Sequence, residues 1–163
     1  MAPPPRRGYD VASVLLVARS NRLSRSKFLI AVSSPWAAEK LMAPIADMAK
    51  RLDAEVVVAH VTQLSDEDES ESDAKQRGEQ TLKLLTEGLK NAGVRSEGVM
   101  LFSDDVPKAL LNTAHARACT MIVLGLTGKG VFKRLIAGDV PGNIIRQADM
   151  PVLLCPANWV GMI

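Results

Sequence analysis

Short continuous apolar runs recur along the chain, and between them lie longer segments whose apolar residues return every three or four positions. The first run, KFLIAVS at 27–33, is partly β-branched and reads as a buried strand. SPWAAEKLMAPIADMAKRL follows, with Leu41, Ile45, Met48, Ala49 and Leu52 on one helical face. Pro44 lies inside that helix and is expected to remove one backbone hydrogen bond and kink it. EVVVAHV at 55–61 predicts a second buried strand. Leu82, Leu85 and Leu89 mark a second helix, and Gly93 is placed to end it in the left-handed conformation. VRSEGVMLF at 94–102 is a more polar strand, as an edge strand is. Asp104 or Asp105 caps a third helix through Val106, Leu110 and Ala114, with Pro107 tolerated in its first turn. TMIVLG at 120–125 is the fourth strand, and PVLLCP at 151–156 the fifth. Between them Val140, Ile144, Ile145 and Ala148 stripe a short last helix.

Strands that are apolar throughout, separated by helical segments, predict an α/β fold: a five-stranded parallel sheet with helices on both faces. Right-handed crossovers then bring every strand-to-helix loop to one edge of the sheet, and ligands bind there where the strand order reverses. With 163 residues the chain has the length of one domain. The alternation assigns 27–156 to that domain, 1–26 to a basic, partly disordered extension and 157–163 to a tail. Within the extension, VASVLLVARS fits either a short strand or one helical face.

Composition narrows the function. A net charge of +2 gives no reason to expect nucleic acid as a partner, and no run is long enough to span a membrane. The charge is unevenly spread. Arg6, Arg7, Arg19, Arg22, Arg25 and Lys27 face only Asp10 at the start, whereas SDEDESESD at 65–73 holds six carboxylates. That acidic run reads as a solvated loop, or as a surface for a basic partner. Cys119 and Cys155 sit beside apolar runs with no metal-ligand spacing, as buried reduced thiols of a cytoplasmic protein do. The two histidines form no metal cluster: His60 reads as a hydrogen-bonded core residue and His115 as a surface one.

The chemistry concentrates in GLTGKGVFKRLIAGDV at 125–140. Gly125, Gly128 and Gly138 give the spacing G-x-x-G-(nine residues)-G between the fourth strand and the last helix. A glycine loop feeding a helix presents backbone N–H groups and the positive end of the helix dipole to an anion. It is neither the P-loop nor the dinucleotide G-x-G-x-x-G motif.

In that context the loop resembles the nucleotide loop of the universal stress protein family. FLIAVS, VVVAHV, TMIVLGLTGKG and ADMPVLLCP agree in order and spacing, so the resemblance covers residues 27–156. It implies a five-stranded α/β domain that pairs through its last strand, making a homodimer through Pro151–Cys155. In nucleotide-binding members ATP lies along the ends of strands one, two and four. The resemblance therefore implies that Ala31, Val32, Ser33 and Val61 line the base and ribose. It also implies that Gly125, Gly128, Gly138 and Val140 hold phosphates through their main chain, beside Leu126, Thr127 and Lys129. Two positions depart from the pattern. Ser33 stands where binding members carry Asp, and Asp139 where they carry Ser or Thr.

Asp139 is as good a helix cap as Ser, but its carboxylate faces the place of a phosphate. Two like charges about 4 Å apart repel by roughly 4 kcal/mol at an effective dielectric near 20, about a thousandfold in affinity. Lys129, Lys133 and Arg134 can offset that charge, and Mg²⁺ can join a carboxylate to phosphate oxygens. Ser33, Ser34 and Asp139 come with no evident base, so catalysis is not expected, a slow ATPase aside. The expectation is a cytoplasmic, homodimeric stress-response regulator whose site takes ATP or AMP. The alternative is a dimeric interaction module that needs no nucleotide.

Overall fold

The computed structural model describes residues 25–63, 70–126, 140–156 and 158–161. Five strands alternate with helices: β1 (Lys27–Ala31), α1 (Pro35–Arg51), β2 (Glu55–Thr62), α2 (Glu71–Asn91), β3 (Ser96–Phe102), α3 (Val106–Ala116), β4 (Met121–Leu126), α4 (Val140–Gln147) and β5 (Val152–Pro156). All neighbouring strands pair in parallel, in the order β3-β2-β1-β4-β5. The expected five-stranded parallel sheet is therefore present, with the more polar β3 at an edge.

Side chains on a strand point alternately to opposite faces, so strands apolar at every position feed two cores. Phe28 and Ile30 of β1, with Val56 and Val58 of β2, join Ile45, Met48, Leu85 and Leu89 of α1 and α2. Leu29, Val57, Ile122 and Leu124 face the other way, onto Leu110, Ala114 and Ile144 of α3 and α4. Winding runs leftward from β1 through β2 to β3, then jumps back to β4 and continues to β5. With right-handed crossovers, that reversal puts α1 and α2 on one face and α3 and α4 on the other.

The helix ends follow local chemistry. Ser34 caps α1, its Oγ accepting from Ala37 N at 3.2 Å, and Pro35 stands in the first turn where its missing N–H costs nothing. Asp105, rather than Asp104, caps α3 by accepting from Lys108 N at 3.1 Å. Gly93 follows α2 with φ of 83°. α1 is assigned as one helix across Pro44, which is buried.

Two expected core positions are on the surface: Leu52 is 47% and Ile145 51% exposed. α1 ends at Arg51, so Leu52 lies beyond its apolar stripe. In α4 each residue turns about 100° from the last, so Val140 and Ile144 share a face and Ile145 is carried off it. The first strand also ends at Ala31, two residues before Ser33, and the third begins at Ser96.

Both cysteines are free and buried, and burial pushes each thiol up to about 11 from an ordinary 9.0. Each stays protonated, and so poorly nucleophilic, until the pH approaches that value. A thiol reagent at about pH 8 is expected to leave the native protein nearly unlabelled and to label both cysteines once it is unfolded. Rapid native labelling contradicts this packing.

Candidate functional site

A cavity of about 270 Å³ opens at the C-terminal ends of β1, β2 and β4, where the strand order reverses. Its floor is set by register. Ala31 pairs with Ala59 on one side and with Leu124 on the other, so three side chains stand level across the sheet, two of them small. Space remains above them because alanine fills so little of it. Leu41 of α1, Val106 and Leu110 of α3, and Val140 and Pro141 of α4 form the walls. Among the described lining residues, the polar side chains are Ser33 and Gln63. Such a site presents an apolar slot with a few hydrogen-bonding groups at its rim, the usual make-up of a small-molecule site.

The segment leaving β1 is fixed at four points. Val32 N donates to Ala59 O at 3.0 Å, and Val32 O accepts from His60 Nδ1 at 2.9 Å. A carbonyl can only accept, so the His60 proton on this side sits on Nδ1. Arg77 of α2 donates from its NH1 to Ser33 O at 3.3 Å, and Ser34 Oγ takes Ala37 N. Ser33 itself is exposed and lines the cavity. His60 is 2% exposed, the hydrogen-bonded core histidine that its position in β2 predicts.

Gly125 has a packing reason as well as a position at the site. A Cβ there would stand 2.6 Å from Leu41 Cδ1 and 3.1 Å from its Cδ2, so α1 rests directly on β4. A second, more polar hollow of about 590 Å³ adjoins the first. Gln63, Val106 and Val140 are shared, and Asp104, Asp105, Pro107, Asn143 and Gln147 complete it.

Of the residues expected at the site, Ala31, Val32, Ser33, Val61, Gly125 and Val140 all line the first cavity. Leu126 is the last residue of β4, one position beyond Gly125. Thr127, Gly128, Lys129, Gly138 and Asp139 lie outside the described residues, as do Lys133, Arg134 and most of the acidic run. Sequence reasoning missed Ala59, Leu41, Leu110 and Gln63. The signal for Ala59 was available in principle, because it stands in β2 where the first strand's Ala31 pairs. His115 is away from the cavity, its Nε2 2.8 Å from Asp149 Oδ1. That hydrogen bond holds the exposed Asp149 carboxyl below its ordinary value. Among the described residues, no group of three or more His, Cys, Asp or Glu converges on a metal site, and no helix is long and apolar enough to cross a membrane.

The fold and cavity define a doubly wound parallel α/β protein with a ligand-sized opening at its switch point. A sequence profile described as the Universal stress protein family matches residues 24–156, and the chain belongs to that family. It is 31% identical over 81 residues to a universal stress protein of Methanocaldococcus jannaschii, covering 49% of this chain and 46% of that one. A Thermus aquaticus universal stress protein is 30% identical over 80 residues, covering 49% and 58%. The matched stretch thus spans about half the length of these curated relatives. Among solved structures, a universal stress protein from Archaeoglobus fulgidus in complex with dAMP superposes with a TM-score of 0.60 at 20% identity, covering 79% of this chain and 96% of that one. An Arabidopsis thaliana member with AMP bound gives 0.56 at 18% identity, covering 82% and 92%. At such identities the solved structures establish the shared fold.

Replacing Gly125 with Val puts methyl groups where Leu41 packs, so the Leu41 side chain or α1 has to shift. Gly125→Val is expected to lower stability by about 1–3 kcal/mol in urea denaturation. An unchanged midpoint contradicts the close-packing reason for this glycine.

Proposed function

We propose that this protein is a cytoplasmic stress-response regulator that takes an adenine nucleotide, AMP or ATP, into the cavity at the ends of β1, β2 and β4. One observation carries the reading. Six residues that the family resemblance assigns to nucleotide contact, far apart in sequence, line one apolar cavity. The relatives solved with dAMP and AMP support the same ligand class. The base lies over Ala31 and Ala59, with Ser33 offering a hydroxyl where other binding members offer a carboxylate. Asp104 and Asp105 line the adjoining hollow and disfavour a phosphate there, so the phosphates run toward the 125–140 loop. The role proposed is binding: among the described lining residues Ser33 and Gln63 supply hydrogen-bonding groups for a ligand. Residues 27–156 are assigned to the functional domain, with 1–26 and 157–163 as extensions, Trp159 of the latter packing against the domain core.

The departures at Ser33 and Asp139 favour a second reading, a dimeric interaction module that works without nucleotide. β5 is an open edge of the sheet, and its Leu154 is 38% exposed, which suits pairing with a second copy through Pro151–Cys155. Leu154→Asp is expected to convert a dimer to monomer in sedimentation. A wild-type monomer contradicts the dimer.

Calorimetric titration with AMP and ATP, with and without Mg²⁺, separates the two readings. Binding by the native chain that changes little in Asp139→Ser, or that loses a Mg²⁺-dependent component, is the result expected of the first. No binding by the native chain, with binding gained in Asp139→Ser, belongs to the second. No binding by either contradicts the nucleotide site altogether.

A further inference from the structure

The segment from Val32 to Ser34 reaches the cavity from two residues outside its own strand, yet its backbone is held from β2 and α2. His60 stands one residue beyond Ala59, so a single stretch of β2 grips Val32 at both its N–H, through Ala59 O, and its C=O, through Nδ1. α2 grips the next residue, with Arg77 NH1 on Ser33 O. The two grips are themselves coupled. Gly78, beside Arg77, lies so close to β2 and β3 that a Cβ there would stand 2.7 Å from His60 Cδ2 and 2.6 Å from Met100 Cε. The absence of a side chain at residue 78 therefore lets α2 settle onto the imidazole and brings Arg77 to the loop. Neither His60 nor Arg77 lines the cavity.

We propose that His60 and Arg77 are positioning residues: together they hold the Val32–Ser33 backbone so that Ser33 meets the ligand in the cavity at the end of β1. The inference rests on the nucleotide reading for the identity of the ligand, but not for the clamp itself. A serine, unlike the aspartate of other binding members, brings no charge and a short reach. Its single hydrogen bond depends on the placement of its main chain, which is why the clamp matters here. With a proton on Nδ1, His60 serves this role as a fixed donor.

Three variants and two readouts test it. His60→Leu removes the donor, His60→Asn restores a donor near the Nδ1 position, and Arg77→Met keeps the stem while losing the guanidinium. Amide exchange is followed at Val32, whose N–H bonds Ala59 O, and at Ile122, whose N–H bonds Pro151 O at the opposite end of the sheet. In parallel, AMP affinity is measured by calorimetry. The expected result for His60→Leu is faster exchange at Val32 with Ile122 unchanged, and AMP affinity about tenfold weaker, the scale of one lost hydrogen bond. His60→Asn is expected to recover both, and Arg77→Met to weaken AMP without changing Ile122. Equal acceleration at Val32 and Ile122 means that His60 only stabilises the core, and overturns the proposal. So does unchanged exchange at Val32. If the native chain does not bind AMP, the nucleotide reading fails, and the exchange at Val32 still decides whether the clamp exists.

Discussion

The single reversal of strand order between β1 and β4 is the constraint on which the rest of this structure depends. Because connections are right-handed, the reversal sends α1 to one face and α3 to the other. Neither helix can then close over the end of β1, and a gap remains there. Register decides what the gap looks like. Ala31 and Ala59 fall level at the last paired position of β1 and β2, with Leu124 beside them, so the floor is apolar and low. A bulky residue at either alanine would fill the space that α1 and α3 leave open.

Burial on both faces makes β1, β2 and β4 rigid, and that rigidity extends just past the strand ends. Val32 and Ser33 lie outside β1 but inherit its order through His60, Arg77 and Ala59. The buried carbonyl of Val32 finds its partner in His60 Nδ1. Val32 O would otherwise be a carbonyl lost to water, at a cost of about 1–3 kcal/mol. The same local order explains Gly125. In a phosphate-binding loop a glycine lets the backbone approach an anion; here Gly125 lets Leu41 sit on β4. One residue type can answer either demand, which is why a glycine motif alone says little about its ligand.

Much of the fold was legible from the residues, for a physical reason. A strand covered on both faces has to be apolar at every position, and FLIA, VVVA and MIVL are. β3 was legible as an edge because Ser96 and Glu97 break the apolar run. Leu52 and Ile145 were misread because periodicity gives a face but neither the last turn of a helix nor the width of its buried stripe. The lining of the candidate cavity was half legible. Ala31, Val32, Ser33, Val61, Gly125 and Val140 came from family resemblance and meet at one cavity. Gln63, Leu41 and Arg77 did not, because their roles arise only when distant elements are brought together: Arg77 lies 44 residues from the carbonyl it holds.

The most direct test of the nucleotide site is methyl-resolved NMR of the full chain titrated with AMP. Progressive shifts are expected at the methyl groups of Val32, Val61, Val106 and Leu110, with those of Leu89 and Val94, at the opposite end of the sheet, unmoved. Shifts centred on Leu89 and Val94, or none at saturating AMP, would contradict a nucleotide site at the switch point.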